Sequence, residues 1–192
     1  MTGPGGEYGD PVYTYTEETA LYTKGYTGFA QWHADIECST TTVFGNINIC
    51  EYSQGNVGGD NWILYGAADG TMNPMDNGLQ LSSATLNAEN IAINAGAGQY
   101  SDFTAEFTYH FDNGAHNDAA MFLYRASSDG STGYAVYFVR CPDDANQYYI
   151  KLTSRPYTYL DGGYFFNNGG QSVAYNSDVQ VKIVVVGRTH QL

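Results

Sequence analysis

The chain has 192 residues, of which 20 are acidic and only 7 are basic, so its formal net charge is −13. A chain this acidic repels the phosphate backbone of nucleic acids and is disfavoured at anionic membrane surfaces. It also lacks an apolar run of about 18 residues that could cross a membrane as a helix. We therefore expect neither nucleic-acid binding nor membrane insertion.

Residue usage predicts an all-β fold. The chain holds 18 Tyr and 23 Gly together with many Thr and Asn. Tyr and Thr favour strands, whereas Gly and Asn favour the turns between them. Turn residues recur roughly every 8–12 residues, which is typical of sandwiches. We predict an antiparallel two-sheet jelly-roll sandwich with little helix.

The chain divides into three parts along the sequence. Residues 1–11 are predicted to be a flexible lead, and residues 12–54 form an N-terminal β segment that is either a separate subdomain or part of the main sandwich. A Gly- and Asn-rich loop at 54–61 precedes the main module, residues 55–192. Its last predicted strand, 179–186, runs straight into "GRTHQL", so we expect a truncated module whose bare edge self-associates unless residues 12–52 cover it.

Cysteine usage and the N-terminus bear on the compartment. Cys38 and Cys50 flank a short segment that could fold as a hairpin, so they are either a disulfide pair or, with Cys141, reduced thiols. The start, "MTGPGGEYGD", has no basic or apolar region of a signal peptide. The composition is typical of secreted bacterial modules, and we expect an extracellular or cell-surface location.

The central part of the chain carries the clearest strand patterns. In "DFTAEFTYHF" the apolar residues from Phe103 to Phe111 alternate with polar ones, which predicts a strand with one buried face. "AAMFLYRA" and "GYAVYFVRC" are apolar on both faces, which predicts central strands.

The loop between these two strands, "SSDGST", raises the question of why a buried strand should end in Arg125. We predict a hairpin in which Arg125 lies opposite Tyr134 and Leu123 opposite Val136, so that Phe122, Tyr124 and Tyr137 share the other face.

Those three aromatic side chains are either a flat platform for a sugar ring or the second half of the core. Arg125 is expected to reach the rim, where it either bonds Asp129 as a structural pin or donates to sugar hydroxyls. Gly130 and Gly133 let the loop curl.

From Trp62 onward the order of these motifs, including "YRASSDGSTGY" and "VQVKIVVVGRTHQL", resembles the concanavalin A-like modules of bacterial fructan hydrolases, the family 66 carbohydrate-binding modules. It is also similar to 3-keto-disaccharide hydrolase-type and laminin-G-like domains. The resemblance covers about the last two thirds of the chain. It implies a jelly roll that binds carbohydrate beside a catalytic domain elsewhere.

Further candidate contacts lie in two polar, tyrosine-rich loops. They are Asn146 and Gln147 in "CPDDANQYY" and Tyr157 in "RPYTYL". The predicted ligand-binding set is therefore Arg125, Asp129, Tyr124, Tyr134, Tyr137, Asn146, Gln147 and Tyr157.

Two alternatives to simple sugar binding are visible in the sequence. In "WHADIEC" the residues His33, Asp35 and Glu37 alternate, and Asp35 with Glu37 could approach the spacing of a retaining glycosidase's two carboxylates, about 5–5.5 Å. Hard oxygen ligands at Asp76 and at Asp143–Asp144 suit a structural calcium. No cofactor is required.

The sequence favours a non-catalytic carbohydrate-binding module with an oligo- or polysaccharide partner. A glycoside hydrolase of the same fold is the first alternative. An adhesin or surface-structural domain, self-assembling through its edge, is the second.

Overall fold

The computed structural model describes residues 10–11, 13–33, 40–51, 55–56, 62–66, 70–75, 78–83, 88–111, 119–140, 148–156, 158–160, 165–166 and 178–192. Within these ranges the chain forms strands and turns and no helix. None of these residues belongs to a helix that is long and apolar enough to cross a membrane. The predicted all-β class is confirmed.

Sixteen strands follow one another in the described part of the chain. The first eight are β1 (Thr14–Thr16), β2 (Tyr26–His33), β3 (Thr40–Glu51), β4 (Gly55–Asn56), β5 (Trp62–Gly66), β6 (Thr71–Met75), β7 (Gly78–Ser83) and β8 (Ala88–Asn94). The others are β9 (Phe103–Phe111), β10 (Ala119–Ala126), β11 (Gly133–Arg140), β12 (Tyr148–Arg155), β13 (Thr158–Tyr159), β14 (Phe165–Phe166), β15 (Val179–Val186) and β16 (Thr189–Gln191).

The strands make two antiparallel sheets. The first sheet has the order β1-β16-β15-β9-β3-β7-β6, with β4 paired to β3. The second has the order β13-β12-β11-β10-β2-β8-β5, with β14 paired to β12. The two sheets pack face to face, so the predicted jelly-roll-like sandwich is confirmed.

Aromatic rings fill the space between the sheets. Phe29 of β2 meets Phe44 of β3 at a ring-centroid distance of 4.4 Å and Phe107 of β9 at 5.0 Å. Phe122 of β10 stacks on Phe107 at 5.3 Å. All four are buried, and each contributes about 1.5–3 kcal/mol by burial. The alternation predicted for β9 is confirmed, since Phe103, Ala105, Phe107 and Tyr109 are buried and the described residues between them are half-buried.

Residues 12–54 contribute strands to both sheets. β2 lies between β8 and β10 in the second sheet, and β3 lies between β7 and β9 in the first. The fully buried Phe29 and Phe44 come from these two strands. The N-terminal segment is therefore part of the same sandwich.

The "GRTHQL" segment follows β15 and returns as a strand. The chain turns at Gly187, whose φ is +54°, and β16 pairs with Val184–Val186 of β15. β1 then pairs with the other side of β16. The prediction that β15 lacks a following strand is wrong, because six residues are enough for a tight turn and a short strand.

The predicted register of the β10–β11 hairpin is wrong by one residue. Tyr124, not Arg125, lies opposite Tyr134, and Leu123 lies opposite Ala135. The pairing of β10 with β2 shifts between Leu123 and Ala126, and Arg125 has a φ of +45°. Arg125 is thus the extra residue of a β-bulge, which interrupts alternation and re-aims its side chain.

The shift redistributes the side chains between the two faces of the second sheet. Phe122 and Tyr124 point into the inter-sheet core together with Val136. Met121 and Tyr137 lie in a separate cluster on the other face. The predicted aromatic platform of Phe122, Tyr124 and Tyr137 is therefore wrong, and its alternative, that these rings belong to the core, holds for the first two.

Candidate functional site

Arg125 is buried at one end of the sandwich, with 2% of its surface exposed. Its guanidinium donates to three backbone carbonyls: Nε to Ser101 at 2.9 Å, Nη1 to Tyr22 at 3.0 Å and Nη2 to Gly187 at 2.8 Å. Nη2 also lies 3.4 Å from Oδ1 of Asp102. One side chain thereby joins three segments that are far apart in sequence, and the predicted position at the rim is wrong.

Asp129 does not hold Arg125, so that predicted contact is also wrong. Its Oδ1 instead accepts from Ser127 Oγ at 2.6 Å and from Oγ and N of Ser131 at 2.7 and 3.0 Å. The hydrogen bond from Ser127 is the largest cause that lowers the pKa of Asp129 to about 2, followed by those from Ser131. Positive φ angles of +70° at Gly130 and +123° at Gly133 close the loop, as expected.

Tyr124 and Tyr134 belong to a buried hydrogen-bond cluster with Glu17 and His190. The Tyr124 hydroxyl lies 2.7 Å from Nδ1 of His190, and Nε2 of His190 lies 2.7 Å from Oε1 of Glu17. Tyr134 donates its hydroxyl to the same carboxylate, at 2.7 and 2.9 Å from its two oxygens. We call these four residues the Glu17–His190 cluster.

Burial perturbs the titration of the cluster. It raises the pKa of Tyr124 well above its ordinary value and raises the pKa of Tyr134 to about 12. It lowers the pKa of His190, because desolvation outweighs the favourable charge and hydrogen bond of Glu17. The phenols therefore stay protonated and the imidazole is neutral at neutral pH.

The outer faces of the two sheets differ in character. On the first sheet, polar pairs lie at the surface: Lys182 with Glu106 at 3.0 Å and His110 with Asp178 at 3.1 Å. On the second sheet, the corresponding face is an apolar cluster. Its buried members are Ala30, Ile91, Ile93, Ala119, Met121, Leu123, Ala126, Ala135 and Tyr137, and the half-buried aromatics Tyr26, Trp32 and Tyr65 pack against them.

An ion pair shows that the apolar face is concave. Leu152 and Ala92 point into the inter-sheet core, so Arg155 and Glu89, each three positions away on β12 and β8, project from the outer face. Three strands separate β12 from β8, which in a flat sheet is about 19 Å. The pairings of Arg155 with Gly133 and of Glu89 with Trp32 also place the two residues near opposite ends of the strands. Arg155 Nη2 nevertheless lies 2.7 Å from Glu89 Oε2, so the twist and curvature of the sheet bring these diagonal positions together on this side. We call it the concave face.

One row of residues crosses the concave face at right angles to the strands. Tyr65 pairs with Ile91, Ile91 with Ala30, Ala30 with Met121, and Met121 with Tyr137. The row places a tyrosine on each side of an aliphatic floor. Ile91, Ala30, Met121 and Tyr137 expose at most 9% of their surface. The rings that a ligand can reach on this face are therefore the half-buried Tyr26, Trp32 and Tyr65, which match the apolar faces of ring-shaped ligands.

Trp32 lies directly beside the ion pair. It is paired with Glu89 across the β2–β8 ladder, where Cβ atoms of opposed residues are about 4.5–5.5 Å apart. The Glu89 carboxylate is held by both Nη atoms of Arg155, at 2.7 and 3.4 Å. A half-buried indole next to a fixed carboxylate and guanidinium combines an apolar ring with acceptor and donor groups.

The loop from 127 to 132 packs on one end of the concave face. A Cβ added to Gly130 would lie 2.8 Å from Cγ2 of Ile91 and 3.2 Å from Cδ1 of Ile93. The backbone of this loop therefore touches the floor, and only a residue without a side chain fits there.

The predicted ligand-binding residues are distributed over different places. Tyr124, Tyr134 and Arg125 lie in the interior, Asp129 lies on the exposed loop, and Tyr137 lies on the concave face. The other predicted positions, Asn146, Gln147 and Tyr157, lie outside the described residues, as do Asp35, Glu37, Cys38, Cys141, Asp76, Asp143 and Asp144. No group of three metal-ligating side chains occurs within the described ranges.

Sequence reasoning missed Trp32, Tyr65, Glu89 and Arg155 as one group. They come from four strands, and no local spacing connects them. The available signal was the alternation in β2, which puts Phe29 and Trp32 on opposite faces and so leaves Trp32 outside the core.

Comparisons of the chain with protein-family models, curated proteins and solved structures found no match.

Proposed function

We propose that the protein is a non-catalytic carbohydrate-binding domain that takes a neutral oligo- or polysaccharide on its concave face, outside the cell. The observation that carries the proposal is the position of Trp32 beside the Glu89–Arg155 pair. Sugar rings offer an apolar face to an indole and hydroxyl groups to a carboxylate or guanidinium.

The contrast between the two outer faces supports this choice. A solvated sheet face normally carries polar side chains, as the first sheet does. The second sheet instead presents half-buried Tyr26, Trp32 and Tyr65 around an aliphatic floor. Aromatic and apolar side chains gathered in a concavity are typical of ligand sites.

Charge limits the class of ligand. The chain carries a formal net charge of −13, and the arginine on the concave face is already paired with Glu89 at 2.7 Å. An anionic glycan would meet repulsion from this net charge, and Arg155 is already committed to Glu89. Neutral glycans carry no such penalty.

The test is a glycan array followed by calorimetric titration of the best neutral ligand. Trp32→Ala should weaken binding by roughly 5–30-fold, since truncating an aromatic anchor costs about 1–2 kcal/mol or more. Tyr65→Ala should weaken it in the same direction. Both variants should keep the circular dichroism spectrum of the wild type, because these side chains lie outside the inter-sheet core.

The matched control is Val186→Ala, which removes an exposed apolar side chain on β15 of the first sheet. Its affinity should equal that of the wild type. Failure of the wild type to bind any neutral glycan, or equal affinity of Trp32→Ala, would overturn the proposal. Capture of a protein partner without any glycan would favour the adhesin alternative.

A reducing-sugar assay separates binding from hydrolysis. We expect no release of reducing ends from fructans, β-glucans or galactans by the wild type. Turnover that disappears in Glu37→Gln would instead establish a glycoside hydrolase.

A further inference from the structure

The Glu17–His190 cluster joins parts of the chain that are remote in sequence. Glu17 follows β1, Tyr124 and Tyr134 lie on β10 and β11, and His190 lies on β16. Glu17 and His190 are 173 positions apart. The cluster therefore connects both terminal strands to the second sheet.

Hydrogen-bond chemistry fixes the proton positions. An ionised carboxylate only accepts, so Nε2 of His190 must carry the proton that it shares with Glu17. The neutral imidazole then accepts at Nδ1, and the Tyr124 hydroxyl donates to it at 2.7 Å. In this arrangement both ring nitrogens of His190 have a partner with the complementary hydrogen-bonding role: Nε2–H donates to Glu17, and Nδ1 accepts from Tyr124.

A second proton on His190 breaks this match. Nδ1–H would face the Tyr124 hydroxyl as a donor, and the hydroxyl would have to turn its own hydrogen towards the interior. The rings around Tyr124 there are Phe103, Phe122 and Tyr134 at 5.6, 5.9 and 5.2 Å. Phe103 and Phe122 offer no oxygen, and the Tyr134 hydroxyl is already bonded to Glu17. The Tyr13 phenol is a further polar group that acts on Tyr124.

The other groups facing His190 do not reverse this effect. Arg125 adds a positive charge that disfavours the imidazolium, whereas Glu17 favours it. The Tyr15 and Tyr134 rings lie 6.1 and 5.0 Å from the imidazole. The pKa of Tyr134, raised to about 12, keeps that phenol neutral. Desolvation is the largest contribution and lowers the pKa of His190.

The cluster also holds the segment 17–25. The Tyr134 hydroxyl accepts from the backbone N–H of Leu21 and of Tyr22, each at 3.0 Å. Glu17 Oε2 accepts from Leu21 N at 3.2 Å. Tyr22 in turn packs edge-on against the Tyr134 ring at 5.2 Å. Loss of the cluster therefore removes the anchors of this segment.

We propose that the Glu17–His190 cluster is an acid-sensitive contact that attaches the segment 17–25 and the β1–β16 pair to the end of the sandwich. Protonation of His190 releases them. The released histidine has an ordinary pKa of about 6.5, and the folded one lies lower. The attachment is therefore strongest above pH 6.5 and weakens as the pH falls from 6.5 through the folded pKa. Each unit of difference gives about tenfold in the opening equilibrium.

The experiment is amide hydrogen exchange at pH 7 and pH 5, corrected for intrinsic rates and followed at Leu21 and Tyr22. The protection of these two amides should fall, by at most about 30-fold, which is the limit that a free pKa of 6.5 sets at pH 5. The protection of Phe107 in the core should stay constant. His190→Gln supplies a side-chain donor and acceptor without titrating, so its protection should be independent of pH. His110→Gln, which changes a half-buried histidine of the first sheet, should behave like the wild type.

Equal wild-type protection at both pH values, or a pH-dependent loss retained in His190→Gln, would overturn the proposal. If that variant does not fold, nitrogen NMR of the wild-type imidazole decides. The expected result is the Nε2–H tautomer at pH 7, protonating below pH 6.5 together with the loss of protection. The proposal would be contradicted if the midpoint of His190 protonation lay at or above pH 6.5, or if amide protection changed independently of that protonation.

Discussion

Arg125 ends its strand because it is the extra residue of a bulge. Its charged side chain makes its hydrogen bonds inside the protein. Its φ of +45° turns the side chain out of the alternation of β10. The guanidinium then reaches the carbonyls of Tyr22, Ser101 and Gly187. A buried cation with this many acceptors is a structural element that holds three chain segments together.

We therefore expect Arg125→Ala to destabilise the protein by at least about 3 kcal/mol, because it leaves buried carbonyls without donors. Thermal and denaturant unfolding measure this change. Asp129→Ala should have a much smaller effect, since its bonds lie within one exposed loop. Unchanged unfolding of Arg125→Ala together with lost sugar affinity would restore the predicted ligand contact.

Asp129 offers a separate test at the same scale. Because Ser127 is the first cause of its low pKa, Ser127→Ala should raise that pKa from about 2 towards 3.8. The loop is stabilised by the carboxylate above pH 3.8, and this stabilisation is lost as the pH falls through about 2. Carboxyl NMR titration gives the value. Ser128→Ala, on the neighbouring exposed serine, is the control, and an equal shift there would contradict this assignment.

At the level of strands, the sequence predicts what alternation encodes. The buried face of β9 and the two-sided burial of β10 follow from residue type alone. The register of β10 on β11 does not, because it depends on the bulge at Arg125 and on the close approach of Gly133 to Ala126. A one-residue shift exchanges the faces of every side chain in the hairpin.

The residues of the concave face could not be predicted from the sequence for a related reason. Trp32, Tyr65, Glu89 and Arg155 come together only through the strand order and the curvature of the second sheet. The same holds for Glu17 and His190, whose partners lie on other strands. Pattern analysis sees neighbours along one strand, whereas these groups are neighbours across several.

The hairpin loop that touches the concave face gives a prediction for a whole element. Gly130→Ala places a Cβ 2.8 Å from Cγ2 of Ile91, so the loop must lift from the floor. The variant should lose about 2 kcal/mol or more, from backbone strain and overpacking together. Gly98→Ala is matched in φ, +80° against +70°, but meets nothing within 4 Å.

Gly98→Ala should therefore cost only the backbone strain, about 1–2 kcal/mol. The difference between the two unfolding free energies isolates the contact between the loop and the floor. Equal losses in both variants would mean that the loop does not press on Ile91.

At the scale of the whole molecule, β1 and β16 together form one edge of the first sheet. β16 covers Val184–Val186 of β15, and β1 covers β16. The same ends carry Glu17 and His190, so strand pairing and the buried cluster depend on each other. The sandwich is thus held at one end by hydrogen bonds and elsewhere by the aromatic core.

Removal of residues 187–192 tests this closure. It deletes β16 with its pairing to β15 and β1, the His190 partner of Glu17, and the Gly187 carbonyl that binds Arg125. We expect a loss of at least about 4 kcal/mol, which lowers the melting temperature by roughly 8–16 °C for a chain of this size. The uncovered edge of β15 should also pair between molecules, visible as concentration-dependent association. The control is His190→Gln, which keeps β16 and should associate no more than the wild type does. It thereby separates the effect of the open edge from that of the lost imidazole. A truncated protein that melts and sediments like the wild type would show that β16 does not protect this edge.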